Sequence, residues 1–184
     1  MHLLVVTSEC LANAPSIVRN GQLIPYERKF GDFASLADSL QVELMRDSIL
    51  TDVINVPQRR MLLMHRRLHE SLVSSRMLPE RCIMGTSLVM RQDEVLSDEY
   101  VLLYPDVQYD VLNREKSLVK ELVRPDGSRV IISVREWVVH EHLLPGFNSF
   151  YSYPNDWLVR DCFAEHVKCH NFTGITFARV AVSL

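Results

Sequence analysis

The residues best placed to do chemistry are in HEH, positions 140–142. If WVVHEHLL is a strand, His140 and His142 leave the same face about 7 Å apart. Two imidazoles at that separation hold a divalent metal once a third ligand arrives, and Cys162, His166, Cys169 or His170 could supply it. The pattern stops short of a full metal signature, because neither HExxH nor a paired CxxC is present. Nucleophilic and phosphate chemistry have less support. There is no GxSxG elbow, no P-loop and no GxGxxG, and six glycines leave few places for backbone to cradle a phosphate. The expectation is therefore no catalytic residue, no bound metal and no cofactor. A small metal-binding protein built on His140 and His142 is one alternative.

Charge is local rather than global. The net charge of -3 demands neither nucleic acid nor a membrane surface as partner. The segment PQRRMLLMHRRLHESLVSSRMLPER, 57–81, holds six arginines against two glutamates. Arginine clusters bind phosphates, so a nucleic-acid module using this segment is a second alternative. No aromatic residue is interleaved for base stacking, and a charged outer face is what most surface helices show. An opposite run follows. Asp93, Glu94, Asp98, Glu99, Asp106 and Asp110 occupy 93–110 with no Lys or Arg among them. A run of one sign makes a negative field that draws in a basic protein and speeds encounter.

The elements that position these residues follow from hydrophobic period and turn chemistry. At 184 residues, with 47% hydrophobic and 23% charged, the chain suits one sizeable globular unit. The opening MHLLVVTSEC lacks the basic flank and length of a signal-peptide core, and reads as an edge or first strand over His2–Val6. Cys10, Cys82, Cys162 and Cys169 form no pair motif and suit free thiols, so the expected compartment is the cytoplasm. NGQLIPYERKFG, 20–31, suits turns. Phe33, Leu36, Leu40 and Leu44 recur at helical spacing behind an Asp32 cap. A second helix is expected from Pro57, with Met61, Met64, Leu68 and Leu72 as its apolar stripe and Pro79 at its end.

From Cys82 the rhythm changes to strands in TSLVM, YVLLY, YDVLN, SLVKELV and RVIISV. Pro125 and Gly127 close a hairpin between 118–123 and 129–134. WVVHEHLL continues as a strand, a helix covers 160–170, and ITFARVAV closes the chain as a strand. The expected fold is α+β, with an antiparallel-rich sheet in the C-terminal half covered by helices from the N-terminal half. A helix-rich 1–81 and a strand-rich 82–184 would together form one compact unit.

The terminal third carries a family likeness. YVLLYPDVQYDVLNREKS and the later REWVVHEHLLPGFNSFYSYPNDWLVRDCFAEHVKCHNFTGITF hold Tyr104, Asp110–Leu112, Glu115–Ser117, Pro145, Gly146, Phe150, Val159, Asp161, Thr173, Gly174 and Phe177 in order. This block resembles a family of bacterial immunity proteins from polymorphic-toxin and type VI secretion systems. It departs from the family where Arg160 replaces a common capping serine and Cys169-His170 replaces an alanine-rich helix end. The resemblance implies a partner rather than a reaction: a co-encoded secreted toxin, often a nuclease of the HNH or endonuclease VII kind, held in a stoichiometric complex. It offers no catalytic residues, and its shared motifs look like fold determinants.

A nuclease presents a basic face to DNA, so an inhibitor can offer carboxylates in place of phosphates. Asp93, Glu94, Asp98, Glu99, Asp106 and Asp110 are the expected contacts. LPGFNSFYSYPNDWLV, 144–159, concentrates five aromatic residues among loop formers, a composition close to that of antibody binding loops. Tyr151, Tyr153 and Trp157 are expected at the surface as anchors, and Phe147 and Phe150 in the core.

Overall fold

The computed structural model describes residues 2–7, 16–18, 40–44, 49–56, 61–79, 82–105, 107–154 and 156–184. In chain order the elements are β1 (Leu3–Thr7), β2 (Ser16–Val18), β3 (Leu40–Leu44), β4 (Val53–Val56), β5 (Met61–His65), α1 (Arg66–Ser74), β6 (Cys82–Arg91), β7 (Glu94–Pro105) and β8 (Gln108–Tyr109). Then follow β9 (Leu118–Val123), β10 (Arg129–Glu136), β11 (Val138–His140), a 3-10 turn (Glu141–Leu143), β12 (Ser149–Ser152), β13 (Asp156–Arg160), α2 (Asp161–Cys169) and β14 (Thr176–Ser183). Sheet dominates, and two α-helices are described.

Sheet I runs β11-β14-β1-β13-β12-β8 and sheet II runs β2-β3-β6-β7-β5-β4, with β9–β10 as a separate hairpin. Pairing is mostly antiparallel. The exceptions are β11 with β14, β12 with β8 and β3 with β6, which run parallel. The first strand is central, not an edge: β1 lies between β13 and β14. It takes that place because both faces of sheet I are covered, which a continuous apolar run permits. Leu4 and Val6 pack into one core, and Leu3 and Val5 into another.

The first core lies between the sheets. It joins Val53, Met64 and Leu103 of sheet II and Leu68 and Leu72 of α1 to Trp157, Val159 and, from α2, Phe163 and Val167. The second lies on the other side of sheet I, under the β9–β10 hairpin, and includes Ile131, Trp137, Phe150 and Leu158. Strands from either side of position 81 share both sheets, with β1 among C-terminal strands and β6 and β7 among N-terminal ones. A division at 81/82 separates neither sheet.

The hairpin, the 160–170 helix and the closing strand lie where their periodicity puts them. Two helical expectations do not hold as drawn. Leu40–Leu44 is strand β3, and 32–39 lie outside the described residues. Met61–His65 is strand β5, paired with β4 and β7, and the helix starts only at Arg66. Met61, Met64, Leu68 and Leu72 fit a helical stripe, but Leu62 and Leu63 are buried alongside Met64, which a one-sided helix would not allow. WVVHEHLL is strand only to His140 and then turns. The turn segment 20–31 and Cys10 lie outside the described residues.

Candidate functional site

Several motif residues of the C-terminal third serve the fold. The Asn113 side-chain oxygen accepts from the Glu115 and Lys116 amides at 3.2 and 3.1 Å, which shapes the turn before β9. The Ser117 hydroxyl donates to the Val138 carbonyl at 3.0 Å and accepts from the Val138 amide at 3.1 Å. Gly174 has φ +80, and a Cβ there would collide with the Val53 carbonyl and the Thr51 side chain. Arg160 has its own task. Its Nε donates to the Phe147 carbonyl at 2.8 Å and its Nη2 to the Pro145 carbonyl at 2.9 Å, fixing the loop between the 3-10 turn and β12.

The acidic residues fall in two places. Gln92 and Asp93, with φ 48 and 72, make the two-residue turn between β6 and β7, a conformation matched to the twist of a tight hairpin. Asp93, Glu94, Asp98 and Glu99 are all exposed on this hairpin, and Val95 beside them is 52% exposed. Glu43 of β3 joins the tip by accepting from the Gln92 amide at 2.6 Å. Glu99 lies 3.4 Å from His65 Nε2. Asp110 belongs to a different region, at the edge of sheet I, and pairs with Arg114 at 2.7 Å. Asp106 lies outside the described residues.

The aromatic segment corrects an expectation. Tyr151 and Trp157 are core residues, 4% and 3% exposed, with their rings stacked at 5.9 Å. The reason is alternation on a sheet covered on both sides: Phe150 faces the hairpin core while Tyr151 faces the inter-sheet core. Neither can anchor a partner in this fold. Among the described residues the Tyr151 hydroxyl and Trp157 Nε1 have no hydrogen-bond partner. Burial, with a smaller contribution from Cys82, pushes the Tyr151 phenol well above its usual range. Tyr153 is half-buried under the Arg114 guanidinium, 5.6 Å from its ring centroid, and Phe147 is half-buried.

The alternative sites do not assemble as drawn. His140 and His142 have ring centroids 5.3 Å apart, but among the described residues no group of three His, Cys, Asp or Glu side chains is arranged to hold a metal. The arginine segment is no continuous helix, because its first part is β5. Arg67 is engaged with Asp52 through Nε and Nη2 at 2.6 and 2.8 Å, and Arg59, Arg60 and Arg81 lie outside the described residues. On the neighbouring surface the Ser71 hydroxyl and His166 Nε2 are 2.7 Å apart, and the His166 and His170 rings lie 4.3 Å apart. Burial and then His170 lower the His166 pKa.

Among the described residues there is a concavity that sequence spacing gives no hint of. A groove of about 520 Å³ runs between the end of α1 and the 146–148 loop, lined by Val73, Arg76, Leu78, Pro79, Cys82 and Phe147, among others. Its two walls come from segments separated by 72 residues and tied by Asn148 and Ser149 to the Arg76 and Met77 carbonyls. No helix among the described residues is long and apolar enough to cross a membrane. No protein-family model matches this chain, and no curated protein matches it either.

Proposed function

We propose that the protein is an immunity protein, a stoichiometric inhibitor that binds a co-encoded secreted toxin of the nuclease class and transforms no substrate itself. The observation that carries this reading is the β6–β7 hairpin, which gathers Asp93, Glu94, Asp98 and Glu99 on an exposed rib with Val95 among them. Carboxylates there offer a basic nuclease face the charge it is built to meet, and Val95 offers apolar area that water must leave. Charge governs the rate of approach, while desolvated contacts govern residence. Ser117, Thr173 and Gly174 of the motif set add support, since they stabilise turns and joints as the resemblance implies. The complex forms in the cytoplasm.

Coexpression with the toxin encoded beside it tests the reading. The expected result is restored growth and a 1:1 complex by light scattering. A paired Asp98→Lys and Glu99→Lys exchange should slow association by about tenfold at low salt and far less at high salt. A toxin that stays lethal and unbound would sink the proposal.

A further inference from the structure

We infer that the groove between α1 and the 146–148 loop is a second docking site, which takes an extended segment of a partner protein carrying a large apolar side chain beside a carboxylate. It stands apart from the acidic hairpin tip. Cys82 opens β6 and Arg91 ends it, so the turn at Asp93 lies about 30 Å away along one strand. Asp98 and Glu99, between the partners of Ser87 and Val89, lie about 20 Å away. The inference does not depend on the partner being a toxin.

Shape and wall chemistry define the occupant. The volume lies within the roughly 300–1,000 Å³ of ligand sites. Val73, Leu78, Pro79 and Phe147 supply the apolar lining, and Val73 is left 50% exposed on the helix. The walls are held before anything binds. Arg160 fixes the Pro145 and Phe147 carbonyls, Ser149 Oγ donates to the Met77 carbonyl at 2.6 Å, and the Cys162 thiol reaches Asn148 Oδ1 at 3.5 Å. A groove fixed in advance spares its occupant the cost of ordering it.

Arg76 supplies the charge. The helix α1 closes with a Schellman pattern, in which the Met77 amide bonds the Leu72 carbonyl at 2.8 Å and the Arg76 amide the Val73 carbonyl at 3.0 Å. The left-handed residue in that pattern is Arg76, φ 53, where glycine is the usual choice. The equivalent position after α2 is Asn171, φ 52, a residue that tolerates this conformation well. Arginine thus sits in an unfavourable backbone position that places it at the groove. Among the described residues its guanidinium has no carboxylate partner. A single planar fork suits one carboxylate, which it can bind through two parallel hydrogen bonds.

Gly146 completes the picture. It has no positive φ, and a Cβ there would meet nothing within 4 Å, so neither backbone strain nor packing calls for glycine. What its missing side chain does is leave the groove open. An open trench whose described lining carries a single charged group, Arg76, suits extended chain better than a small polar molecule, which needs several converging polar groups.

The test uses labelled Gly/Ser octapeptides carrying one Phe beside one Glu, with Phe–Gln and Ala–Glu versions as controls. The Phe–Glu peptide should bind with Kd of about 1 mM or tighter, and each control about tenfold more weakly. At saturation it should slow alkylation of Cys82, read by peptide mapping, and leave Cys169 unaffected. Gly146→Trp should abolish binding without changing thermal stability. Arg76→Gln should make the Phe–Glu and Phe–Gln peptides equal. Asp98→Lys with Glu99→Lys should leave peptide affinity unchanged, which separates this site from the acidic hairpin. No saturable binding, binding that survives both groove variants, or Cys82 alkylation unchanged at saturation would overturn the inference.

Discussion

Asp52 and Thr173 meet across 121 residues of sequence, with Asp52 Oδ2 accepting from both the Thr173 amide and its hydroxyl at 2.8 Å. The contact is reciprocated. Thr173 Oγ1 accepts from the Asp52 amide at 3.1 Å, and the Val53 amide donates to the Thr173 carbonyl at 3.2 Å. Arg67, 57% exposed, closes the other side of the carboxylate. This joint fastens the approach to β14 of sheet I onto the approach to β4 of sheet II, so it sets how the sheets face each other over their shared core.

Asp52→Ala should therefore cost about 2 kcal/mol, because it removes the shared acceptor of the Thr173 amide, the Thr173 hydroxyl and the Arg67 guanidinium. Of these, only the exposed guanidinium turns readily to water. Thr173→Val, which keeps the amide contact, should cost about half as much. Chemical denaturation at pH 7 reads both. Acid gives an independent check. Burial alone would raise the Asp52 pKa, but the hydrogen bonds from Arg67 and Thr173 outweigh it and hold the carboxyl below its usual value. A depressed folded pKa contributes stability that is complete above the unfolded value of about 3.9 and is lost as pH falls through the folded one. The wild-type protein should lose that increment below about pH 4, and Asp52→Ala should not.

Gly174 follows Thr173 and separates two reasons for glycine. Gly127, in the β9–β10 turn, has φ +81 with nothing near its missing side chain, so Gly127→Ala should cost about 1 kcal/mol from backbone strain alone. Gly174→Ala meets the same strain and also the Thr51–Val53 segment. Its cost should exceed 3 kcal/mol or so. Similar losses for the two variants in urea unfolding would show that the joint yields more easily than its contacts imply.

The hairpin and this joint also show what a sequence displays and what it hides. The turn at Pro125 and Gly127 is legible because its chemistry is local: the Gly127 amide bonds the Arg124 carbonyl at 2.9 Å, and Asp126 Oδ1 accepts from the Ser128 amide at 2.9 Å. Strand β5 is not legible, because Met61 and Met64 share helical spacing with Leu68 and Leu72, and only the distant β4 and β7 decide for a strand. Gly174 could be singled out by type, but nothing local names Asp52 as the neighbour of Thr173. The groove is hidden for the same reason, its walls being far apart in the chain. Tyr151 and Trp157 look like anchors because their segment is rich in loop formers, and the covering of both faces of sheet I is a tertiary fact.

Burial turns Tyr151 into a probe of the core. Tyr151→Ala should cost about 3–5 kcal/mol, as large truncations in packed cores do. Tyr151→Phe removes a buried hydroxyl that has no hydrogen-bond partner among the described residues, so stability should hold or rise by about 1 kcal/mol. Calorimetric unfolding of the two variants distinguishes this from a surface role, which would leave stability almost unchanged in both.

Asp156, opposite Ser152 where β12 meets β13, gives a pH effect of the opposite sign to Asp52. Burial raises its pKa to about 6. For a carboxyl with a raised folded pKa, the folded state holds its proton longer than the unfolded chain, so stability falls as pH rises from about 4 to about 6 and the penalty is complete above that. Asp156→Asn removes the ionisation and keeps the shape. It should raise stability by about 2 kcal/mol at pH 8 and change little at pH 4. The measurement is the difference between variant and wild type across that range. A constant difference would mean that the carboxyl titrates alike folded and unfolded, and that solvent reaches the start of β13 more freely than the packing around Trp157 allows.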